Sequence, residues 1–402
     1  MTDMSVTSTL RGAVMKLRKP LIPAFVLAAC LCLVFCQKPD AGHDPGQTAR
    51  AVKEQDSSQA ADAVRLKKFS YVDAKGIGCE AFSLLIPAGW RFSGGVDWVL
   101  DNPGMPATAR FTVRNPSGSE ELEVFPNQAM FWTDNQMLLA TFPIGSRYFG
   151  AEVRPVAGPA EALTAIVVPR FRGKITNLKV VNTRNLPELA RALHAGAPQP
   201  GVQTFGDAAK VRIEYTAAGV PMEEEIFAVV EGFSFSMQGM QGVITNTNWY
   251  VDYIFSFKAE KGKLDKAAPQ FQSMIDSFRV NPQWFSRYNQ LVEALIQAQI
   301  RQIRSIGELS RYISRTSNEI SDSMMRSYND RQKVYDRIGE NFSEYVRDTE
   351  HYVNPIEGSD VELPGGYDHV WTNASGEYIL TDSPGYNPNV ESNKNWQELE
   401  KK

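Results

Sequence analysis

Three adjacent acids, Glu223-Glu224-Glu225, precede an apolar run with strand character, and carboxylates in a row could bind a hard cation through oxygen ligands. Neighbours on a strand point to opposite faces, so only two of the three share a side. A solvated edge that discourages strand-to-strand aggregation is therefore favoured over a cation site. Asp252 stands inside the apolar run Trp249–Phe257 (WYVDYIFSF), where an ionised carboxylate on a buried face would need a partner. Arg170 and Arg172, flanking Phe171, are the candidate partners, so Asp252, Arg170 and Arg172 form a candidate buried-charge or ligand site. Strand alternation could equally place Asp252 on an open face. The chain has four histidines, and no two of His43, His194, His351 and His369 stand at ligand spacing for a helix or hairpin. No nucleophile elbow, zinc-protease helix, phosphate-binding loop, dinucleotide fingerprint or calcium-binding loop occurs. Hence no catalytic residue, no metal and no cofactor is expected. Cys79 is expected to pack as a small hydrophobe. The Met237–Gly242 loop could line an adaptable binding surface or fill a hairpin tip, and Trp90, Trp98, Phe131 and Trp132 could frame a cleft or pack in a core.

Elements must hold these residues, and the composition limits which. The 402 residues carry 42 basic and 46 acidic side chains, a balance without the basic excess of a nucleic-acid protein. Residues 67–281 alternate short apolar runs with Gly, Pro and Asn, which predicts strands at Phe82–Ile86, Ala109–Val113, Glu121–Phe125, Ile226–Met237 and Trp249–Phe257. Helices are expected at Pro159–Val168, ended by Pro169, at Leu186–Ala195, and at Leu264–Phe278. This pattern indicates an α+β domain, an antiparallel sheet covered by helices.

Residues 1–20 hold four bases and one acid, and Leu21–Cys36 follows without a charge, the layout of an export signal. Leu27-Ala28-Ala29-Cys30 resembles the lipobox of bacterial lipoproteins, which implies diacylglycerol on Cys30; Cys36, before the polar Gln37-Lys38-Pro39-Asp40, is the alternative site. Losing residues 1–29 moves the net charge from −4 to −7. Residues 37–66 are polar and read as a flexible tether. The implied location is the cell envelope, anchored to a membrane by lipid and facing the periplasm or exterior.

Two further stretches carry a family likeness. Phe82-Ser83-Leu84-Leu85-Ile86-Pro87-Ala88-Gly89-Trp90 and Tyr253-Ile254-Phe255-Ser256-Phe257-Lys258-Ala259, with a helix ending Ser277-Phe278-Arg279-Val280, resemble the two ends of PsbP-like domains. The resemblance implies an exported sandwich used for binding or assembly, with an insertion around residues 130–225, and it implies no catalytic residue.

From 282 to 352 apolar and aromatic residues recur about every 3.5 residues with no proline between Pro282 and Pro355, which predicts a long amphipathic helix or an αα-hairpin with a seam for a partner helix. The tail, 353–402, has nine acids against three bases and reads as irregular, apart from a hairpin turning at Asn373-Ala374-Ser375-Gly376 with Trp371 near Tyr378. The regions are thus 1–36 signal and lipobox, 37–66 tether, 67–281 α+β domain, 282–352 helix and 353–402 aromatic, acidic tail. The expected role is non-enzymatic interaction or assembly with an envelope protein through the 282–352 helix, without nucleic acid. The alternatives are an envelope hydrolase using paired carboxylates and a small-molecule or lipid carrier.

Overall fold

Three long antiparallel strands, Val202–Ala217, Val220–Gly239 and Gly242–Glu260, build the middle of the molecule. The computed structural model describes residues 63–402 except 101, 188, 190–200, 240–241, 297–321, 344–348 and 391. Cys30, Cys36, the signal run, residues 37–62 of the tether, His43 and His194 lie outside the described residues, as does most of the expected helix Leu186–Ala195. The first two long strands turn at Ala218 and Gly219, both at positive φ (49° and 83°), the backbone that suits the twist of a two-residue hairpin. A 20-residue strand is roughly 65 Å long, and strands of that length twist and curl.

Along Val220–Gly239 both alternate sets are buried. Met222, Ile226, Ala228 and Val230 belong to one core, Phe227 and Val229 to the other. On the first side lies a helical stretch, Pro159–Ala162, a π-helical turn Leu163–Val167 and Val168–Arg172, burying Leu163, Ile166 and Val167. Pro169 does not end it as expected, because the π turn precedes the position where the missing N–H would break the ladder. On the second side lie the helices Leu264–Asp276, Pro282–Ile296 and Asp322–Ser343, which bury Phe271, Trp284, Tyr288 and Tyr335. Trp284 Nε1 donates to Asp73 Oδ2 at 2.9 Å, and Trp98 Nε1 donates to the same carboxylate, so one buried acid ties the N-terminal loop, a strand and a helix together.

The expected helix-covered α+β sandwich with a long helix and an irregular tail is overturned. Among the described residues strand makes up 48% and helix 22%, and the large curled sheet is mixed, because Gln128–Thr133 pairs in parallel with Ala151–Val153. The described part of 282–352 holds helices of 15 and 22 residues and ends in the strand Thr349–Asn354. The tail is ordered by pairing. The hairpin His369–Thr372 and Glu377–Thr381 adds to the sheet of Val64–Val72 and Glu80–Pro87, with Thr372 opposite Tyr378. Ser359–Pro364 and Glu400–Lys401 flank Thr349–Asn354 in a third sheet. These strands are short, and the hairpins they form are completed by distant partners, Val64–Val72 in one sheet and Glu400–Lys401 in the other, which local sequence patterning does not reveal.

In the strand Arg91–Trp98, Gly94 holds φ +106°, and a Cβ there would stand 2.3 Å from the Arg110 carbonyl oxygen and 2.7 Å from Phe111 Cα. Gly94→Ala is expected to lower stability by about 1–3 kcal/mol in urea unfolding. Gly89→Ala, where a Cβ meets nothing within 4 Å, is the near-neutral control.

Candidate functional site

The strand Gly242–Glu260 carries a bulge. Its register with the central strand slips between the pairs Phe227–Phe255 and Val229–Asp252, so that Tyr253 and Ile254 together oppose Ala228. Tyr253 takes φ +49°, a strained backbone for a bulky residue, and its N–H donates to Asp252 Oδ1 at 2.7 Å. The slip breaks the period-two alternation, so Asp252 and Tyr253 both face the second side, beneath the helix Asp322–Ser343.

Arg331 of that helix is the partner of Asp252. Its Nη1 donates to Asp252 Oδ2 at 3.1 Å, its Nη2 lies 3.5 Å from Glu231 Oε1, and its Cζ stands 5.0 Å from the Tyr253 ring centre. Tyr335, one turn on, meets Tyr253 edge-on at 4.9 Å. Burial, and then Asp252, push the Glu231 carboxyl up to about 7 against the pull of Arg331. One guanidinium thus holds two carboxylates, and a proton on Glu231 completes the charge balance. Glycoside chemistry needs room for a sugar between its acids; here Arg331 fills that space. A cavity beside the bulge, lined by Leu186, Leu189, Phe227, Tyr253 and Phe255, measures about 10 Å³, room for about one water.

Arg170 and Arg172 lie on the opposite side of the sheet, which corrects their expected pairing with Asp252. Arg172 is clamped by Glu224, which accepts from Nε at 2.9 Å and Nη2 at 2.6 Å, while Glu123 accepts from Nη2 at 2.6 Å. Burial opposes the Arg172 charge, but these carboxylates raise its pKa overall. Arg170 reaches Glu152 and Gln128. The three glutamates are no solvated edge, since all are buried in a central strand. Glu223 accepts from the Gly262 and Leu264 N–H groups and so caps the helix Leu264–Asp276; Glu224 holds Arg172; Glu225 pairs Lys210 at 3.0 Å and Arg212 at 3.1 Å. The four aromatics do not share a cleft: Trp90 meets Phe271, Trp98 meets Trp284, and Phe131 meets Tyr148. Cys79 is half-buried, and burial pushes its thiol up to about 12.

One end of the sheet presents apolar groups to solvent. The short helix Gln136–Thr141 (QMLLAT), with Asn135 Oδ1 accepting from the N–H groups of Met137 and Leu138, buries none of its residues. Met137 is 65%, Ile144 61% and Phe149 76% exposed. Arg147–Tyr148 and Ala151–Val153 form a two-residue hairpin whose turn is Phe149 (φ 47°) and Gly150 (φ 85°). Such a turn favours Asn, Asp or Gly at its first position, so an aromatic there is presented at the expense of backbone strain. Arg147 Nη1 braces the turn by donating to the Gly150 oxygen at 2.7 Å, and the Tyr148 ring lies tilted against Phe131 and edge-on to Phe142. Met237 and Val243, also exposed, belong to the adjoining hairpin, which Asp134 joins by accepting from the Thr245 N–H at 2.9 Å. Local sequence signals mark the Met237 loop, but nothing marks Phe149, because its exposure depends on the turn and not on its neighbours' hydropathy.

Comparison with protein-family models and with curated proteins finds no match to this chain.

Proposed function

We propose that this chain is an exported, lipid-anchored, non-enzymatic docking protein that holds a protein partner at the cell envelope through the Phe149 end of its large sheet. The observation that carries this reading is Phe149 itself, an aromatic side chain kept in water on a strained turn where a polar residue would be more stable. The charge-free run Leu21–Cys36 and the Cys30 lipobox supply the export and anchoring part of the reading. Apolar positions of 282–352, among them Phe285, Tyr288, Val292 and Tyr335, are buried in this chain's own core, which supports docking through Phe149 in preference to that segment.

The surface specifies its partner's chemistry. Exposed Phe149, Met137 and Ile144 stand with Arg147, which braces the Phe149 turn, and with Glu152, which holds Arg154 and Arg170, a mix of apolar and arginine side chains like that of a protein interface. The complement is an apolar groove rimmed by acids. A net-negative body makes an anionic bilayer the poorer occupant.

A photoreactive benzoylphenylalanine at Met137 of the full chain in envelope preparations is expected to form one protein adduct, mapped to an apolar segment with acidic flanks. The same group at Val390, exposed in the tail, should not form it. Phe149→Asn should lower the adduct at least tenfold while leaving stability unchanged or raised by up to ~1 kcal/mol, since Asn tolerates the turn. Adducts with lipid alone, or an adduct indifferent to Phe149, would overturn the reading.

A further inference from the structure

Beyond Gly232 the three long strands run on past both cores, and the face on the side of the helix Asp322–Ser343 repeats one pattern. Phe233 stands between Thr204 and Asn248, and Phe235, two positions on, stands between Val202 and Asn246. Alternation puts all six side chains on the face that carries Phe227 and Glu231. Both phenylalanines are half-buried, and neither belongs to either core. Their ring centres are 6.4 Å apart and their planes 25° from parallel, so the two rings present their faces in nearly the same direction. On the opposite face of these strands the polar groups pair off, Ser234 with Thr247 at 2.8 Å and Ser236 with Thr245 at 3.1 Å. The side-chain amides of Asn246 and Asn248, by contrast, hold no hydrogen bond among the described residues. Each amide offers two N–H donors and an acceptor oxygen beside an aromatic ring, and the arrangement occurs twice.

The face selects its ligand by charge and by repetition. Residues 131–133, 202–205, 233–238 and 243–248 are neighbours across the sheet and contain no ionisable side chain, in a chain that is 22% charged. A nucleic acid would need cations opposite its phosphates. An acyl chain would bury the amides without partners. An added peptide strand pairs with a sheet edge through its backbone, whereas these groups stand on a face. A chain of neutral sugars meets every condition: the C–H face of a sugar packs on the electron-rich face of an aromatic ring, its hydroxyls pair with amides, and its units repeat.

We propose that this face binds an uncharged glycan of β-linked hexoses, with successive sugars against Phe233 and Phe235 and their hydroxyl or acetamido groups on Asn248 and Asn246. Positions two apart on a strand are about 7 Å apart. Equatorial linkages keep such a glycan an extended ribbon that follows the strand, whereas an α-linked chain coils away from it. Thr204 adds a hydroxyl beside Phe233.

The full chain is titrated by calorimetry with cellohexaose, chitohexaose and maltohexaose. Saturable binding of a β-linked oligomer is expected, and the better of the two identifies the unit as glucose or N-acetylglucosamine; maltohexaose should bind at least tenfold more weakly. Phe235→Leu, which keeps an apolar side chain and removes the ring, should weaken binding at least tenfold, and Asn246→Ala at least threefold, with melting temperatures unchanged. Gln203→Ala, exposed on the opposite face, should leave binding as it is. No saturable heat with either β-linked oligomer would overturn the proposal, as would equal affinity for maltohexaose or binding that survives both Phe235→Leu and Asn246→Ala. A dimer in sedimentation that Phe235→Leu dissolves would overturn it too, by making the face a contact for a second copy.

Discussion

Arg331→Met is expected to remove about 3–5 kcal/mol of stability at pH 8, measured by urea unfolding, because it leaves two carboxylates under the helix without their cation. Methionine keeps the length and the apolar contact with Tyr253 and Tyr335, so the loss reports on charge more than on packing. The interpretation has an internal control. In a chain already carrying Asp252→Asn and Glu231→Gln, the same replacement should cost about 1 kcal/mol or less, because no uncompensated anion remains. Equal losses in both backgrounds would mean that Arg331 acts through packing.

The same cluster fixes the sign of a pH dependence. Burial and the neighbouring Asp252 hold Glu231 at about 7, above the ordinary 4.5. The folded chain therefore binds more protons than the unfolded chain between these values. The stability contributed by protonated Glu231 is complete below about pH 4.5 and is lost as the pH rises through 7. Without Arg331 the carboxyl is driven further upward, so the deficit of Arg331→Met should shrink as the pH falls from 8 towards 5. A deficit independent of pH would exclude Glu231 as its origin.

Local signals in the sequence reached as far as local physics does. The hairpin turn at Asn373–Gly376 was legible from its turn residues, but the register was one residue off, since Thr372 and not Trp371 stands opposite Tyr378. The helix Leu264–Asp276 was legible from its apolar steps of three and four. Asp252 stands out in the sequence as a carboxylate in an apolar run, and it is buried, but its partner could not be read there. The bulge at Tyr253 put it on the other face from Arg172, and Arg331 lies 79 positions away on a helix whose docking no spacing rule encodes. Glu223-Glu224-Glu225 misled for a related reason: a strand buried on both faces can carry acids when each finds its own cation or N–H group, and those partners come from a helix, a neighbouring strand and the turn that opens another helix. Phe149 was invisible for want of any neighbouring motif.

The two arginines on the first side of the sheet give a sharper test of that lesson, since the sequence treats them alike. Arg172→Met is expected to cost about 3–5 kcal/mol, because Glu224 is completely buried and would keep only the Tyr215 hydroxyl, which donates to it at 3.0 Å. Arg170→Met should cost under about 1 kcal/mol, its side chain being a third exposed and Glu152 retaining Arg154. Adding Glu224→Met to Arg172→Met should recover most of the loss, as an apolar pair against Phe125 replaces an ion pair whose desolvation offsets much of its attraction. If the double variant is as unstable as Arg172→Met alone, the guanidinium's bond to Glu123, and not the burial of Glu224, is what holds the helical stretch Pro159–Arg172 against the sheet.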